Sequence, residues 1–194
     1  MALPWLAAFP IGPSQPDWDV DGASPACYAG RTLHILRPSV GMKEIQFRPA
    51  VITDLPAILG LLADDELGRQ REEIGPPPSP NYEMAFHAIE KDPNQLLAVA
   101  ERNGDVVGCL QLTFIPGLSR VGLWRGQIES VRVASNLRGS GLGRQLFEWA
   151  IEACRKRGCG LVQLTTDKSR PDALRFYQSL GFTASHEGMK LELN

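Results

Sequence analysis

The stretch Ile128-Glu129-Ser130-Val131-Arg132-Val133, followed within a few residues by Leu137-Arg138-Gly139-Ser140-Gly141-Leu142-Gly143-Arg144, decides how this chain folds. The first part reads as a strand that starts near Trp124. A glycine-rich turn succeeds it, and Leu146, Phe147, Ala150, Ile151 and Cys154 then recur at helical spacing. A strand feeding such a turn into a helix makes a phosphate site for physical reasons. Glycines let backbone N–H groups converge without side chains in the way, and the helix N-terminus adds partial positive charge. Arg138 and Arg144 flank the turn and can pair with phosphate oxygens. A tight structural turn that binds nothing is the plainer reading. No Gly-Lys-Ser/Thr follows, which removes the usual nucleoside-triphosphate loop. Glycines 139, 141 and 143 also miss the spacing of a dinucleotide fold.

Working outward, strand and helix signals alternate from Lys43. Ile45 to Arg48 reads as a short strand, and Thr53 and Asp54 can cap a helix bearing Ile58, Leu59, Leu61 and Leu62. The run Gly75 to Pro80 is a loop. A helix over Tyr82 to Glu90 is expected to turn Met84, Ala85, Ala88 and Ile89 inward. Gln95–Glu101 and Val106–Phe114 form a hairpin around Asn103-Gly104. In the long strand after it, Ile128, Ser130 and Arg132 should share one face, with Gln127, Glu129, Val131 and Val133 on the other. Leu161–Thr166 is a strand, Pro171–Leu180 a helix and Met189–Leu193 a final strand. Arg155-Lys156-Arg157 complements the dipole at the end of its helix, and Gly158 stops it. The order specifies an α/β (α+β) domain with a mixed sheet.

The 194 residues suffice for one core-forming domain. Hydrophobic residues at 43% and charged residues at 22% fit a soluble globular chain. A net charge of -2 supplies no global basic field for nucleic acid or anionic lipid. No apolar run is long enough for a membrane span. Cys27, Cys109, Cys154 and Cys159 lack zinc-site spacing and read as reduced thiols of a cytoplasmic protein. Residues 1–42 carry scattered prolines and no periodicity, and read as a poorly ordered extension or a segment upstream of the natural start at Met42.

Arg138-x-x-Gly141-x-Gly143 after its strand resembles the acyl-CoA diphosphate signature of the GNAT N-acetyltransferase superfamily. Ala173-Leu174-Arg175-Phe176-Tyr177-Gln178-Ser179-Leu180-Gly181-Phe182 is similar to that family's late helix-and-strand motif, at the family's separation. The likeness covers residues 43–194. It implies the GNAT fold: a central, mostly antiparallel mixed sheet flanked by helices, whose central strands splay to form an acyl-CoA cleft. It implies acetyl-CoA as co-substrate, no metal, and an unidentified primary amine as acceptor, a small molecule or peptide, attacked directly in a ternary complex. A non-catalytic acyl-CoA-binding module is the alternative. The resemblance assigns cofactor binding to Val131, Arg132, Val133, Arg138, Gly139, Ser140, Gly141, Leu142, Gly143 and Arg144. A homodimer is compatible with it, and neither nucleic acid nor a membrane is an expected partner.

The resemblance casts Tyr177 as the acid that serves the leaving thiolate, where the alternative is a half-buried core tyrosine. An alkyl amine with a pKa of about 10.4 is neutral only to about one part in a thousand at pH 7, a deficit of roughly 4 to 5 kcal/mol. Glu129, mid-strand beside the expected thioester, is the candidate base, directly or through water. It can instead bind a cationic acceptor, or pair with Arg125 or Arg132. The acidic stretch Asp64 to Glu73 suits a cationic amine or is a solvated surface. Arg170 stands where many members carry Asn, and either replaces its contact with the cofactor or faces solvent. His186 can reach the acceptor side, while His34 and His87 lack partners for metal or nucleophilic chemistry.

Overall fold

The computed structural model describes residues 44–193 except 65, 74 and 76, and gives the backbone alone at 66 and 67. The extension expected over 1–42, with Cys27 and His34, lies outside the described residues. The elements run β1 (Gln46–Pro49), a 3-10 turn, α1 (Leu55–Leu62), α2 (Glu66–Arg69), α3 (Pro80–Lys91), β2 (Gln95–Arg102), β3 (Asp105–Ile115), the single turn α4 (Ser119–Gly122), β4 (Arg125–Val133), α5 (Leu142–Lys156), β5 (Leu161–Leu164) and α6 (Pro171–Ser179). The sheet order follows the chain, β1-β2-β3-β4-β5. The first four strands are antiparallel, and β5 joins β4 in parallel. The parallel step needs a crossover, which α5 provides.

The β2–β3 hairpin turns at Asn103 and Gly104, whose φ values of 60° and 89° are the left-handed pair that such a tight turn demands. One face of the sheet packs against α5 through Leu110, Leu112, Phe114, Ile128, Leu146, Phe147 and Cys154. A Cβ on Gly126 would lie 2.3 Å from the Cys154 sulfur, so the missing side chain lets α5 press directly on β4. The other face holds α1 through Ile58, Leu61, Val99 and Cys109.

Asp54 does not cap α1 as the sequence suggests. Its carboxylate turns back to accept the Val51 N–H (2.8 Å) and takes Arg48 Nη1 and Nη2 at 2.6 and 3.0 Å. Arg48 also donates to Glu101 at 2.8 Å, which fastens β1 and the start of α1 to β2. The Arg48 guanidinium, then the Val51 N–H, hold the buried Asp54 carboxyl below the usual range against the opposing effect of burial. A depressed carboxyl contributes stability that is present above its unfolded pKa near 3.9 and is lost as pH falls through the lower folded value. Asp54→Asn is therefore expected to destabilise the fold by about 1 to 2 kcal/mol at pH 7, because Arg48 loses the nearer of its two carboxylate partners and keeps only Glu101. Urea unfolding at pH 7 and below pH 3 measures this, and the difference between the two proteins should shrink in acid.

Three expectations change. On α3 the inward stripe is Tyr82, Phe86 and Ile89, with Met84, Ala85 and Ala88 outside, since the helix docks by its aromatic ridge on Leu55 and Leu59. The segment Met189–Leu193 forms no strand. It pairs with no neighbour, and Met189, Leu191 and Leu193 stand at 94%, 86% and 89% exposure. The alternation expected along β4 is broken by a bulge. Cys109 faces Arg132 while Gln111 faces Glu129, so two residues of β4 oppose one of β3. Ser130 takes φ 53°, and the phase slips there, so Val131 and Val133 pack on the core that also holds Ile128.

Candidate active site

The bulge lies where the sheet opens. The parallel ladder between β4 and β5 ends at Ile128 and Leu164, and beyond it Glu129 to Val133 have no β5 neighbour. A non-glycine residue at positive φ costs on the order of 1 kcal/mol or more, so Ser130 is held in place by its surroundings. The bulge turns Glu129 and Ser130 outward, and both are exposed. An extended arm, hydrogen-bonded along this edge of β4 as a strand would be, fits the opening.

Below the opening, Val133 leads through a 3-10 turn to the glycine-rich turn. Gly139 and Gly141 have φ values of 80° and 91°, and Gly141 precedes the first residue of α5. The first internal bond of this helix is Gln145 N–H to the Gly141 carbonyl, at 3.2 Å. The N–H groups of Leu142, Gly143 and Arg144 precede it, and no acceptor among the described residues takes them. They are positioned as donors to an anion at the helix start. Gly143 sits over Phe176 and Val133, at 3.8 and 3.9 Å from where its Cβ would be, so α6 and β4 meet at this point. The Leu142 side chain is buried in the core, leaving its N–H as the group it can offer.

The two arginines of the turn are already engaged. Arg138 donates from Nη2 to the Asp64 carboxylate (2.9 Å) and carbonyl (3.0 Å), and from Nε to the Val133 carbonyl (3.2 Å). Asp64 also accepts the Ser135 N–H at 3.0 Å. Arg138 is thus a strut from the turn to the end of α1, and part of the acidic stretch is neutralised internally. Arg144 reaches the Ser179 hydroxyl at 3.0 Å and ties α5 to α6. Arg132 Nη1 donates to the Val131 carbonyl at 3.0 Å.

Tyr177 lies half-buried among Phe147, Phe176 and Phe182, with ring centroids 5.4, 5.6 and 6.4 Å away. Its hydroxyl bonds to no described residue. Burial pushes the phenol up from its usual range, against a smaller opposing pull from the charges of Arg170 and Arg132. It is therefore protonated throughout neutral pH and suited to donate. Arg170 precedes α6, so its charge reaches Tyr177. Glu129 opens onto a cavity of about 310 Å³ shared with Ser130, Arg132, Arg71, Thr165 and Lys190. Arg125 hydrogen-bonds Gln163 at 3.4 Å and leaves Glu129 alone. His186 is exposed and bonded to Ser185, and His87 pairs with Glu90. Arg71 and Lys190 escaped the sequence reading because no local pattern marks them. One follows a four-residue helix and the other lies in an irregular segment.

Among the described residues no group of three His, Cys, Asp or Glu could hold a metal ion, and no helix is long and apolar enough to cross a membrane. Cys109 and Cys154 are buried, which pushes both thiols up to about 12, and Cys159 is raised as well. None of the three is a thiolate nucleophile near pH 7.

A parallel step that opens beside a helix start whose N–H groups have no acceptor among the described residues is consistent with an acyl-CoA-dependent transferase. The chain belongs to the acetyltransferase (GNAT) family, whose model matches residues 62–182. It is 40% identical over 148 residues to the aminoalkylphosphonate N-acetyltransferase of Salmonella typhimurium, covering 75% of this chain and 89% of that one. Glucosamine 6-phosphate N-acetyltransferase of Trypanosoma brucei brucei is 40% identical over 91 residues, 46% of this chain and 59% of that one. A crystal structure named as a transcriptional regulator from Bacillus halodurans C-125 superposes with TM-score 0.75 at 51% identity, over 77% of this chain and 100% of that chain. The protein is an N-acetyltransferase, and acetyl-CoA is the co-substrate of its family.

Proposed function

We propose that this chain transfers acetyl from acetyl-CoA to a primary amine of a small molecule by direct attack in a ternary complex. The parting of β4 from β5 at the Ser130 bulge, on the strand that leads into the uncapped start of α5, carries the reading. The diphosphate sits on the N–H groups around Gly139 to Arg144, and the pantetheine arm runs along Val131 to Val133. Arg138 acts through the shape of the turn rather than by touching phosphate, since its guanidinium is committed to Asp64. The amine enters the cavity beside Glu129, which removes its proton directly or through water. Its nitrogen then bonds to the thioester carbon, the carbon–sulfur bond breaks, and the departing thiolate receives a hydrogen bond or proton from Tyr177.

The acceptors named for the two enzymes above each join an amine to a phosphonate or phosphate. They support a small molecule rather than a protein N-terminus or lysine. The elevated thiols support direct transfer, because a thiolate acyl-enzyme would need one of them ionised. The catalytic unit spans 43–194 with 1–42 as an extension, works in the cytoplasm, and needs no metal, nucleic acid or membrane. A homodimer is compatible with this arrangement.

Release of free thiol from acetyl-CoA in the presence of an amine panel tests the reading. Glu129→Gln is expected to lower kcat/KM about 100-fold near pH 7. The variant should recover about tenfold per pH unit as the amine deprotonates by itself, up to its own pKa near 10.4. A loss below threefold with an unchanged pH profile would remove Glu129 from the chemistry.

A further inference from the structure

The segment Met189-Lys190-Leu191-Glu192-Leu193 alternates apolar and charged residues strictly, as a strand with one apolar and one charged face does. Its apolar side is uncovered: Met189, Leu191 and Leu193 are all almost fully exposed. Single exposed apolar residues are ordinary, whereas three at strand spacing on one short segment mark a surface for another element. The segment begins beside the sheet. The Cβ position of Gly188 lies 3.8 Å from the Cγ2 of Thr165, the residue that follows β5. That strand is the outermost of the sheet and pairs with β4 alone among the described residues. An unpaired edge is a template for strand pairing with another chain. Lys190 lines the cavity beside Glu129. The Asp167 carboxyl is lowered first by the Ser169 N–H and hydroxyl and then by the charges of Arg71 and Lys190, so Lys190 stands on the cavity side of the segment.

We propose that a second copy of this chain covers the segment, the two copies pairing antiparallel through Met189–Leu193 about a two-fold axis at Leu191. In that register Leu191 faces Leu191 of the second copy, Met189 faces Leu193, and Lys190 faces Glu192. Directly opposed residues share a face, so six apolar side chains line one side of the ribbon and two Lys–Glu pairs the other. The charges exclude the neighbouring registers. A shift of two residues sets Lys190 against Lys190 or Glu192 against Glu192, and a shift of one sets apolar residues against charges. Parallel pairing in register opposes like charges at both positions. The segment is thus self-complementary in the two-fold arrangement, which is what a symmetric dimer demands. A two-stranded ribbon alone is marginal in water. Here each strand starts next to an outermost β5, so the ribbon joins two sheets edge to edge. Glu192 of the second copy then stands beside Lys190 at the cavity wall. The pairing does not depend on which amine is acetylated.

Sedimentation velocity of the full chain over a range of about 1 to 100 μM should show a monomer–dimer equilibrium. Lys190→Glu and Glu192→Lys each turn both Lys–Glu pairs into like-charge pairs, and each alone should weaken the dimer about 10- to 100-fold. Both substitutions in one chain recreate the opposed charges and should bring the Kd back to within about twofold of the parent. Mixing the two single variants should also restore association, as a heterodimer in which every Glu faces a Lys, followed by a fluorescent label on one of them. Leu191→Asp sets two carboxylates face to face on the axis and should leave a monomer that still melts cooperatively, since this side chain is exposed in a single copy. A monomer at every concentration, or a dimer that the charge reversals leave intact, would overturn the proposal. So would single variants that stay apart when mixed. Hydrogen exchange showing residues 189–193 protected within a monomer would overturn it too, by placing the segment against its own chain.

Discussion

Gly141→Val is expected to raise the KM for acetyl-CoA about 100-fold and to abolish most of the stabilisation that CoA gives the protein. Gly141 has φ 91°, directly before α5, and a Cβ there would meet nothing within 4 Å. The barrier is therefore conformational rather than a clash inside the fold. A β-branched residue in the left-handed region costs roughly 1 to 2 kcal/mol or more, and relief comes by rotating the turn. That rotation moves the Leu142, Gly143 and Arg144 N–H groups off a common anion, and the branched side chain projects into the open space that the diphosphate would occupy. Gly141→Asn separates the two effects, because Asn tolerates this φ better. It should keep near-normal stability and still bind CoA more weakly by its bulk. Acetyl-CoA KM values and melting temperatures with and without CoA measure both. Normal KM values in both variants would place the diphosphate elsewhere.

Tyr177→Phe is expected to lower kcat by about 100- to 1000-fold with little change in the KM for acetyl-CoA. The ring's contacts with Phe147, Phe176 and Phe182 survive the substitution, and the hydroxyl has no partner in the fold to lose. Stability should therefore hold, so a loss of rate reports on chemistry. The pH dependence follows from the raised phenol. A group whose folded pKa stands above about 10 stays protonated through neutral pH, so its ionisation should not limit kcat until the solution is strongly alkaline. If Tyr177 only fills the core, the substitution would leave every rate where it was.

Features governed by neighbours in sequence were readable from it. Asn103-Gly104 announced the hairpin, and the glycines from 139 to 143 announced the strand-turn-helix, because left-handed φ and helix starts are local demands. The placement of Glu129 beside an opening in the sheet came from the family likeness, and the ladder ending at Ile128 and Leu164 agrees with it. The bulge at Ser130 was not legible, since Ser carries no positive-φ signature and the extra residue exists only relative to β3. Strict alternation consequently put Val131 and Val133 on the wrong side of Ile128. The same holds for Arg138, whose motif position suggests phosphate but whose guanidinium is taken by Asp64, 74 residues away. The segment Met189–Leu193 has the alternation of a strand yet pairs with no strand among the described residues, while Lys190 within it comes to share a cavity with Arg71 only through the tertiary fold. On α3, small residues and Met left the inward face undetermined until Tyr82 and Phe86 found α1.

Initial rates of thiol release with acetyl-CoA and 2-aminoethylphosphonate varied together test the central claim most directly. Direct transfer in a ternary complex predicts double-reciprocal lines that intersect, with no thiol released before the amine is added. Parallel lines, or a burst of thiol from enzyme and acetyl-CoA alone, would contradict it and require an acyl-enzyme.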